Sequence, residues 1–251
     1  MFRIIFVFFF CSIAVNVSFG QRLLIAAASD LKFALDSVVT VFQQKYPTIT
    51  VDVVYGSSGK LYEQIAHGAP FDLYFSADVD YPRNLSSKGL IAGDVTVYGT
   101  GRLVFWSRHL PNLENIHSAA LPAIKKIAIA NPQHAPYGKR AVETLRYYKL
   151  YESVKGKLVY GENISQAAQF AATGAADAGI IALSLVNSPT MQAMNGRYWL
   201  IPEAAHSKLE QGFVILKSSR QKAVAFKFRD YMALGEVQNI LAHYGFNGDI
   251  K

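Results

Sequence analysis

The apolar positions of this chain switch between two periods. Leu23-Leu24-Ile25-Ala26-Ala27 is a short unbroken apolar run, the pattern of a strand buried on both faces. Leu31, Ala34, Leu35, Val38, Val41 and Phe42 then recur at helical spacing until Tyr46-Pro47 ends the helix. Ile49 to Tyr55 is rich in β-branched residues and predicts a second strand. A helix near Lys60–His67 follows and stops at Gly68, and Asp72–Ser76 predicts a third strand. The same alternation returns with a strand over Ile127–Ala130 and a helix marked by Ala141, Val142, Leu145 and Tyr148. A strand over Lys157–Tyr160 comes next, then a helix through Ala167, Ala168, Phe170 and Ala171 closed by Gly174, then a strand over Ala178–Ile181.

Strands alternating with helices predict α/β architecture with ligands at the carboxyl ends of the strands. Arg102–Trp106 and Gly212–Leu216 interrupt the rhythm and fit strands that carry the chain between two lobes and back. Gln221 to Phe246 reads as two helices split at Gly235. The expected division is residues 21–101 plus 210–251 in lobe I and 102–209 in lobe II.

Between strand and helix, four turns share a composition. They are Ala27-Ala28-Ser29-Asp30, Gly56-Ser57-Ser58-Gly59, Asn131 to Gly138, and Gly161-Glu162-Asn163-Ile164-Ser165. None carries a side chain of catalytic type. Each opens a helix, whose first N–H groups lack partners inside the helix and whose dipole places about half a positive charge there. Several such starts aimed at one point make a cage for a small anion. Dipoles supply only about 0.3–1 kcal/mol each. Hydrogen bonds to a charged acceptor supply about 1.5–3 kcal/mol each, and micromolar binding needs about 8 kcal/mol. Directed hydrogen bonds must therefore carry the affinity.

Ser29 and Ser57 can cap their helices or point at a ligand. Ala135 and Ile164 can contribute only backbone N–H groups. Asp30 is the nearest acceptor in a set of donors, and its simplest role is a cap turned away from the site. Ser58 and Asn163 are further candidates. A cage of donors prefers an anion that carries no proton.

The ends and the charge narrow the classes. Residues 1–20 read as a secretory signal peptide: Met1-Phe2-Arg3, an apolar stretch from Ile4 to Val17, and small residues at Ser18 and Gly20. Its removal takes away Cys11, the only cysteine, and leaves no thiol or disulfide chemistry. The net charge of +7 is spread along the chain with no basic run longer than a pair, so nucleic-acid binding is not expected. Ser29-Asp30-Leu31-Lys32 and Ser57-Ser58-Gly59-Lys60 match S-x-x-K, but the companion S-D-N and K-T-G elements of the serine acyl enzymes are absent. Gly59-Lys60 lacks the earlier glycine of a P-loop. The six histidines show no metal-ligand spacing. A binding protein rather than an enzyme is expected.

At these residues the chain resembles the periplasmic molybdate-binding proteins of ABC uptake systems. The resemblance spans nearly all of residues 21–251. It rests on Ala26-Ala27-Ala28-Ser29, Gly56-Ser57-Ser58-Gly59, Gly68-Ala69-Pro70-Phe71-Asp72, Asn131 to Gly138, and Gly161-Glu162-Asn163-Ile164-Ser165-Gln166. It implies two Rossmann-like lobes with mixed sheets joined by a two-strand hinge, the type II periplasmic-binding-protein fold. It also implies a soluble periplasmic monomer with no cofactor that closes on molybdate or tungstate and delivers it to a membrane permease. Ser29 and Ser57 would hold the anion from one lobe, and the amides of Ala135 and Ile164 from the other. The tyrosine that the family carries after the Gly179-Ile180-Ile181 strand is replaced by Ala182, and Tyr137 would take its place. Another oxyanion such as sulfate or phosphate, or a small organic anion, is the alternative ligand. A carboxylate would call for an arginine clamp, for which only Arg140 is near.

Overall fold

The computed structural model describes residues 21–110 and 113–248; the leader assigned to residues 1–20 lies outside them. Two five-stranded mixed sheets form the frame. The first contains β1 (Gln21–Ala28), β2 (Ile49–Gly56), β3 (Leu73–Ser76), β4 (Ile91–Thr100) and β10 (Glu210–Leu216), in the order β2-β1-β3-β10-β4. The second contains β5 (Leu103–Ser107), β6 (Ile127–Ala130), β7 (Leu158–Gly161), β8 (Ala178–Ala182) and β9 (Arg197–Leu200), in the order β7-β6-β8-β5-β9.

The two sheets are built alike. In the first, β1 lies parallel to β2 and β3, while β10 is antiparallel to β3 and β4. In the second, β6 lies parallel to β7 and β8, while β5 is antiparallel to β8 and β9. The apolar runs at 102–106 and 212–216 thus become the antiparallel members of the two sheets. The chain crosses between the sheets at Gly101-Arg102 and returns through residues 201–209. These crossings touch where the Gly101 N–H donates to the Leu209 carbonyl at 2.9 Å.

Alternation explains why the central strands are apolar on both sides. Leu23, Ile25 and Ala27 of β1 face a core shared with α1 (Lys32–Lys45), α9 (Lys222–Met232) and α10 (Gly235–His243). Ala26 faces the opposite core under α2 (Ser58–Ala66) and α3 (Asp80–Ser87). Phe75 and Phe213 stack in the first core with ring centres 4.5 Å apart, and Phe42 meets Phe228 edge-on at 4.9 Å. The second sheet has its own core, with Phe105, Trp106 and Ile180 fully buried beneath α4 (Pro136–Tyr147) and α6 (Ile164–Thr173). Gly174, at φ 80°, ends α6 in the left-handed conformation that glycine adopts without a Cβ penalty.

Short helices α5 (Tyr151–Val154), α7 (Leu183–Val186) and α8 (Pro189–Gln192) complete the frame. Among the described residues no helix is long and apolar enough to cross a membrane. Elements absent from the sequence expectation are β4, β9, α3 and the short helices α5, α7 and α8. Strand β4 carries Gly93 at φ 82° and Asp94, and only Tyr98 and Gly99 in it are buried, so its apolar signal is thin. Strand β9 is an edge strand with no buried residue.

Candidate functional site

The carboxyl ends of the parallel strands of both sheets point at one place. Ser29 follows β1, Ser57 follows β2, Ala77 follows β3, Ala135 to Tyr137 follow β6, and Ile164 follows β7. Together with Ala28, Asp30, Gly56, Ser58 and Pro136 they line a cavity with about 180 Å³ of empty space. Ser29, Asp30, Ser57, Ser58, Ala135, Tyr137 and Ile164 are all buried. Seven of the eight residues named from the sequence therefore meet at one small cavity. Asn163 does not line it. Its side chain accepts from the Gln166 N–H at 3.1 Å and caps α6, so the local role has taken that residue.

The serines do the reverse. The Ser57 hydroxyl makes no capping bond to α2, and no side chain caps the 3-10 turn at Ser29–Leu31. Both hydroxyls instead reach the opposite lobe. The Ser165 N–H donates to Ser29 Oγ at 3.3 Å, and Ser165 Oγ donates to the Ser29 carbonyl at 2.8 Å. Ser57 Oγ lies 2.8 Å from His134 Nδ1. Ser58 Oγ accepts from the Ala77 N–H at 3.0 Å, which ties the turn after β2 to the end of β3.

The backbone donors divide. The Ala135 N–H donates to the Asn131 carbonyl at 2.9 Å and so closes its own turn. Pro136 has no N–H. Among the described residues, the first-turn N–H groups of Ser58, Tyr137 and Ile164 have no hydrogen-bond acceptor. Ala135 thus forms wall, and Tyr137 holds the free amide of that turn. This departs from the expectation that Ala135 donates.

Behind the cavity lies a buried polar cluster that the sequence did not announce. Gln211 on β10 donates from Nε2 to Asp30 Oδ2 at 2.8 Å and to the Tyr137 hydroxyl at 3.0 Å, and the Tyr98 hydroxyl donates to its Oε1. Asp30 makes no helix cap and does not turn away, contrary to the expectation. It lines the cavity with a side chain that is 1% exposed, and its Oδ1 makes no hydrogen bond. Burial pushes its carboxyl up to about 6, against the hydrogen bonds from Gln211 and Tyr137 that pull it down. Burial also pushes the Tyr137 and Tyr98 hydroxyls well above their ordinary value, with the nearby Asp30 acting in the same direction. Both stay neutral donors. Gln211 follows Glu210 just before the apolar run, a faint sequence signal.

Around the rim the lobes are bridged. The Gly59 N–H donates to the His134 carbonyl at 2.9 Å. Lys60 pairs with Glu162, whose carboxylate lies 4.0 Å from His134 Nε2. Burial holds the His134 imidazole below its ordinary value, Glu162 opposes that, and Lys60 adds to it. Arg140 pairs with Asp78 at 3.2 Å across the lobes and with Glu143 at 2.9 Å on its own helix. Its charge is spent at the rim, so the one candidate for a carboxylate clamp is not in the cavity. Among the described residues no group of His, Cys, Asp or Glu is arranged to hold a metal ion.

The arrangement is a small cavity between the lobes, walled by neutral donors apart from the Asp30 carboxyl. Comparison with known proteins agrees with that chemistry. The family model described as bacterial extracellular solute-binding protein matches residues 23–247. A molybdate-binding protein ModA of Rhodobacter capsulatus is 34% identical over 198 residues, 78% of this chain and 77% of the relative. One of Azotobacter vinelandii is 34% identical over 225 residues, 88% of both. The solved structure of an Azotobacter vinelandii periplasmic molybdate-binding protein superposes with a TM-score of 0.84 at 30% identity, covering 90% of this chain and 99% of that one.

Proposed function

This chain belongs to the family of bacterial extracellular solute-binding proteins, and we propose that it captures molybdate, or tungstate of nearly the same size, for an ABC-type permease. Binding takes place outside the cytoplasmic membrane, in the periplasm. The observation that carries the reading is the cavity itself. Four strand–helix turns from two lobes enclose it, and its free groups are hydroxyls, first-turn amides and one oxygen of the Asp30 carboxyl.

Ser29 and Ser57 hold the anion from lobe I, residues 21–101 with 210–251. Tyr137 and the Ile164 amide hold it from lobe II, residues 102–209. The Ser29 hydroxyl accepts from Ser165 and keeps its own proton for the ligand. At Ser57 the histidine tautomer decides. With its proton on Nδ1, His134 donates to Ser57 Oγ and frees the serine proton for the anion. The opposite tautomer would turn lone pairs toward a negative ligand. The anion beyond Ser57 favours an imidazole that donates from Nδ1, whereas Glu162, 4.0 Å from Nε2, favours a proton on that nitrogen, and only the imidazolium satisfies both.

A tetrahedral oxyanion accepts on every oxygen, so a dry site of neutral donors suits it. Size then sorts the candidates. Metal–oxygen bonds are longer than sulfur–oxygen bonds, and a rigid cage fits one of the two ions better. The lobes close by hinge bending about Gly101-Arg102 and residues 201–209, and the permease receives the closed form.

The test is isothermal titration of residues 21–251 with molybdate, then with sulfate and phosphate in the same buffer. One-to-one binding of molybdate with no heat from sulfate supports the reading. Equal binding of sulfate, or no molybdate binding, overturns it and moves the search to other small anions.

A further inference from the structure

Reading the cavity as an oxyanion site leaves one group without a role. Asp30 places a carboxyl in a wall of donors. Its Oδ2 is held by Gln211 at 2.8 Å, while Oδ1 is buried and makes no hydrogen bond. The groups packed round it are neutral. They are Gln211 on β10, Tyr98 on β4, Tyr137 on α4, and Ser184 on α7, whose hydroxyl donates to the Asp30 carbonyl at 2.7 Å. From α6 come Ile164 and Ser165, the latter bonded to Ser29. On the following helix, Lys32 pairs with Asp36 at 2.9 Å. Among the described residues no cation pairs with Asp30.

An ionised carboxyl here would meet a dianion at close range in a site from which water has been expelled, where like charges repel most. It would also be an acceptor, and so would welcome a ligand that carries an O–H. A neutral carboxylic acid reverses both effects. It removes the repulsion, and its O–H becomes one more donor.

We propose that Asp30 binds the ligand as the acid. Its Oδ1 takes a proton from solvent and donates it to an oxygen of the bound oxyanion, so each captured anion brings one proton into the closed site. The proposal rests on the oxyanion reading of the cavity and deepens it. It makes Asp30 a specificity residue, because a cage with its one acceptor turned into a donor excludes oxyanions that retain a proton.

The free carboxyl titrates near 6. The anion stabilises the protonated form, so the pKa in the complex is higher than in the free protein. Affinity is then full below the free value and is lost as pH rises above it. The experiment is titration of the mature protein with sodium molybdate at pH 7.5 in buffers of different ionisation enthalpy, followed by a pH series from 6.5 to 9. The expected results are uptake of about one proton per molybdate and an affinity that falls about tenfold per pH unit above pH 7. D30N offers an N–H at every pH, so it should take up no proton and show a flat profile, while H134N should still take up the proton. Wild-type binding without proton uptake, at an affinity independent of pH, overturns the proposal and leaves the oxyanion reading standing. Uptake that persists in D30N and disappears in H134N assigns the proton to His134 and overturns it as well. Absence of molybdate heat in the wild type overturns the oxyanion reading itself, and the proposal with it.

Discussion

Gly59 is where closure and folding can be separated. It stands in the first turn of α2, and its N–H reaches across the lobes to the His134 carbonyl at 2.9 Å. A Cβ at this position would lie 2.6 Å from the His134 carbonyl oxygen, 3.0 Å from His134 Cα and 2.9 Å from the Tyr81 hydroxyl. Two of those atoms are backbone and cannot swing aside. Gly59→Ala therefore pushes the His134 turn away from lobe I. The displacement breaks the Gly59–His134 bond and lengthens the 2.8 Å contact between Ser57 and His134.

Each hydrogen bond contributes about 0.5–1.5 kcal/mol, and overpacking of this kind costs about 1–3 kcal/mol. The closed form should lose about 2–5 kcal/mol, which is about 30- to 5000-fold in affinity. The open form escapes the backbone clash. With the lobes apart only the Tyr81 hydroxyl, the far end of a side chain on the same lobe, stays near the new methyl, and alanine is a better helix former than glycine by up to about 1 kcal/mol. Calorimetry of the free variant should show a melting temperature equal to or above that of the wild type. Its gain in melting temperature on adding molybdate should shrink in step with the weaker binding. Affinity within threefold of wild type would refute the reasoning, because the lobes would then not need the approach seen at Gly59. A drop in ligand-free stability would refute it differently, by making the contact part of the fold.

Three further substitutions test the cage and its rim. Ser57→Ala removes one hydrogen bond to a charged acceptor and should weaken molybdate binding by about 1.5–3 kcal/mol in the same titration; unchanged affinity would remove Ser57 from the site. Tyr137→Phe leaves a Gln211 N–H unpaired in a buried cluster and should lose about 1–3 kcal/mol of binding or stability. Tyr148→Phe, whose ring packs on His117 and Trp199 away from the cavity, should change neither, and equal affinities for the two variants would refute the role of Tyr137. Lys60→Ala breaks a half-exposed pair with Glu162 and should change affinity by less than about fivefold, as surface ion pairs contribute 0–1 kcal/mol; a larger loss would put Lys60 in the site, as the S-x-x-K spacing allows.

Much of the frame was legible because the buried strands announce themselves. Ile127–Ala130 is an unbroken apolar run, and it is the strand observed. The paired turns were legible because serine, glycine and asparagine recur at the same step of the strand–helix cycle. What the turns do with those residues was not. Asn163, Ser29 and Ser57 look alike in sequence as cap residues, yet only Asn163 caps, because the serines have partners on the other lobe. Those partners lie 77 to 136 positions away, a distance that no local pattern encodes. Gln211 was missed for the same reason. It is an ordinary residue whose importance comes from what the two sheets bring against it.

The cage and the seam are made by the same residues, and this links affinity to closure. Ser29 faces the ligand cavity and is bonded to Ser165 of the other lobe, and Ser57 faces it and contacts His134. Neither can hold an anion in this geometry unless the lobes are together. The lobes in turn lack reason to stay together around an empty polar cavity, since free amides of Ser58, Tyr137 and Ile164 would be buried without partners, and each costs about 1–3 kcal/mol when left so. The seam bonds offset part of that cost, and an oxyanion supplies the rest. Strengthening the seam, for example at the Arg140–Asp78 pair, would raise the closed fraction of the empty protein and tighten binding by the same factor. It would also erase the difference between empty and loaded forms that a permease has to read. The half-exposed Lys60–Glu162 pair at the rim is consistent with that balance, because a solvated ion pair contributes only about 0–1 kcal/mol to holding the lobes.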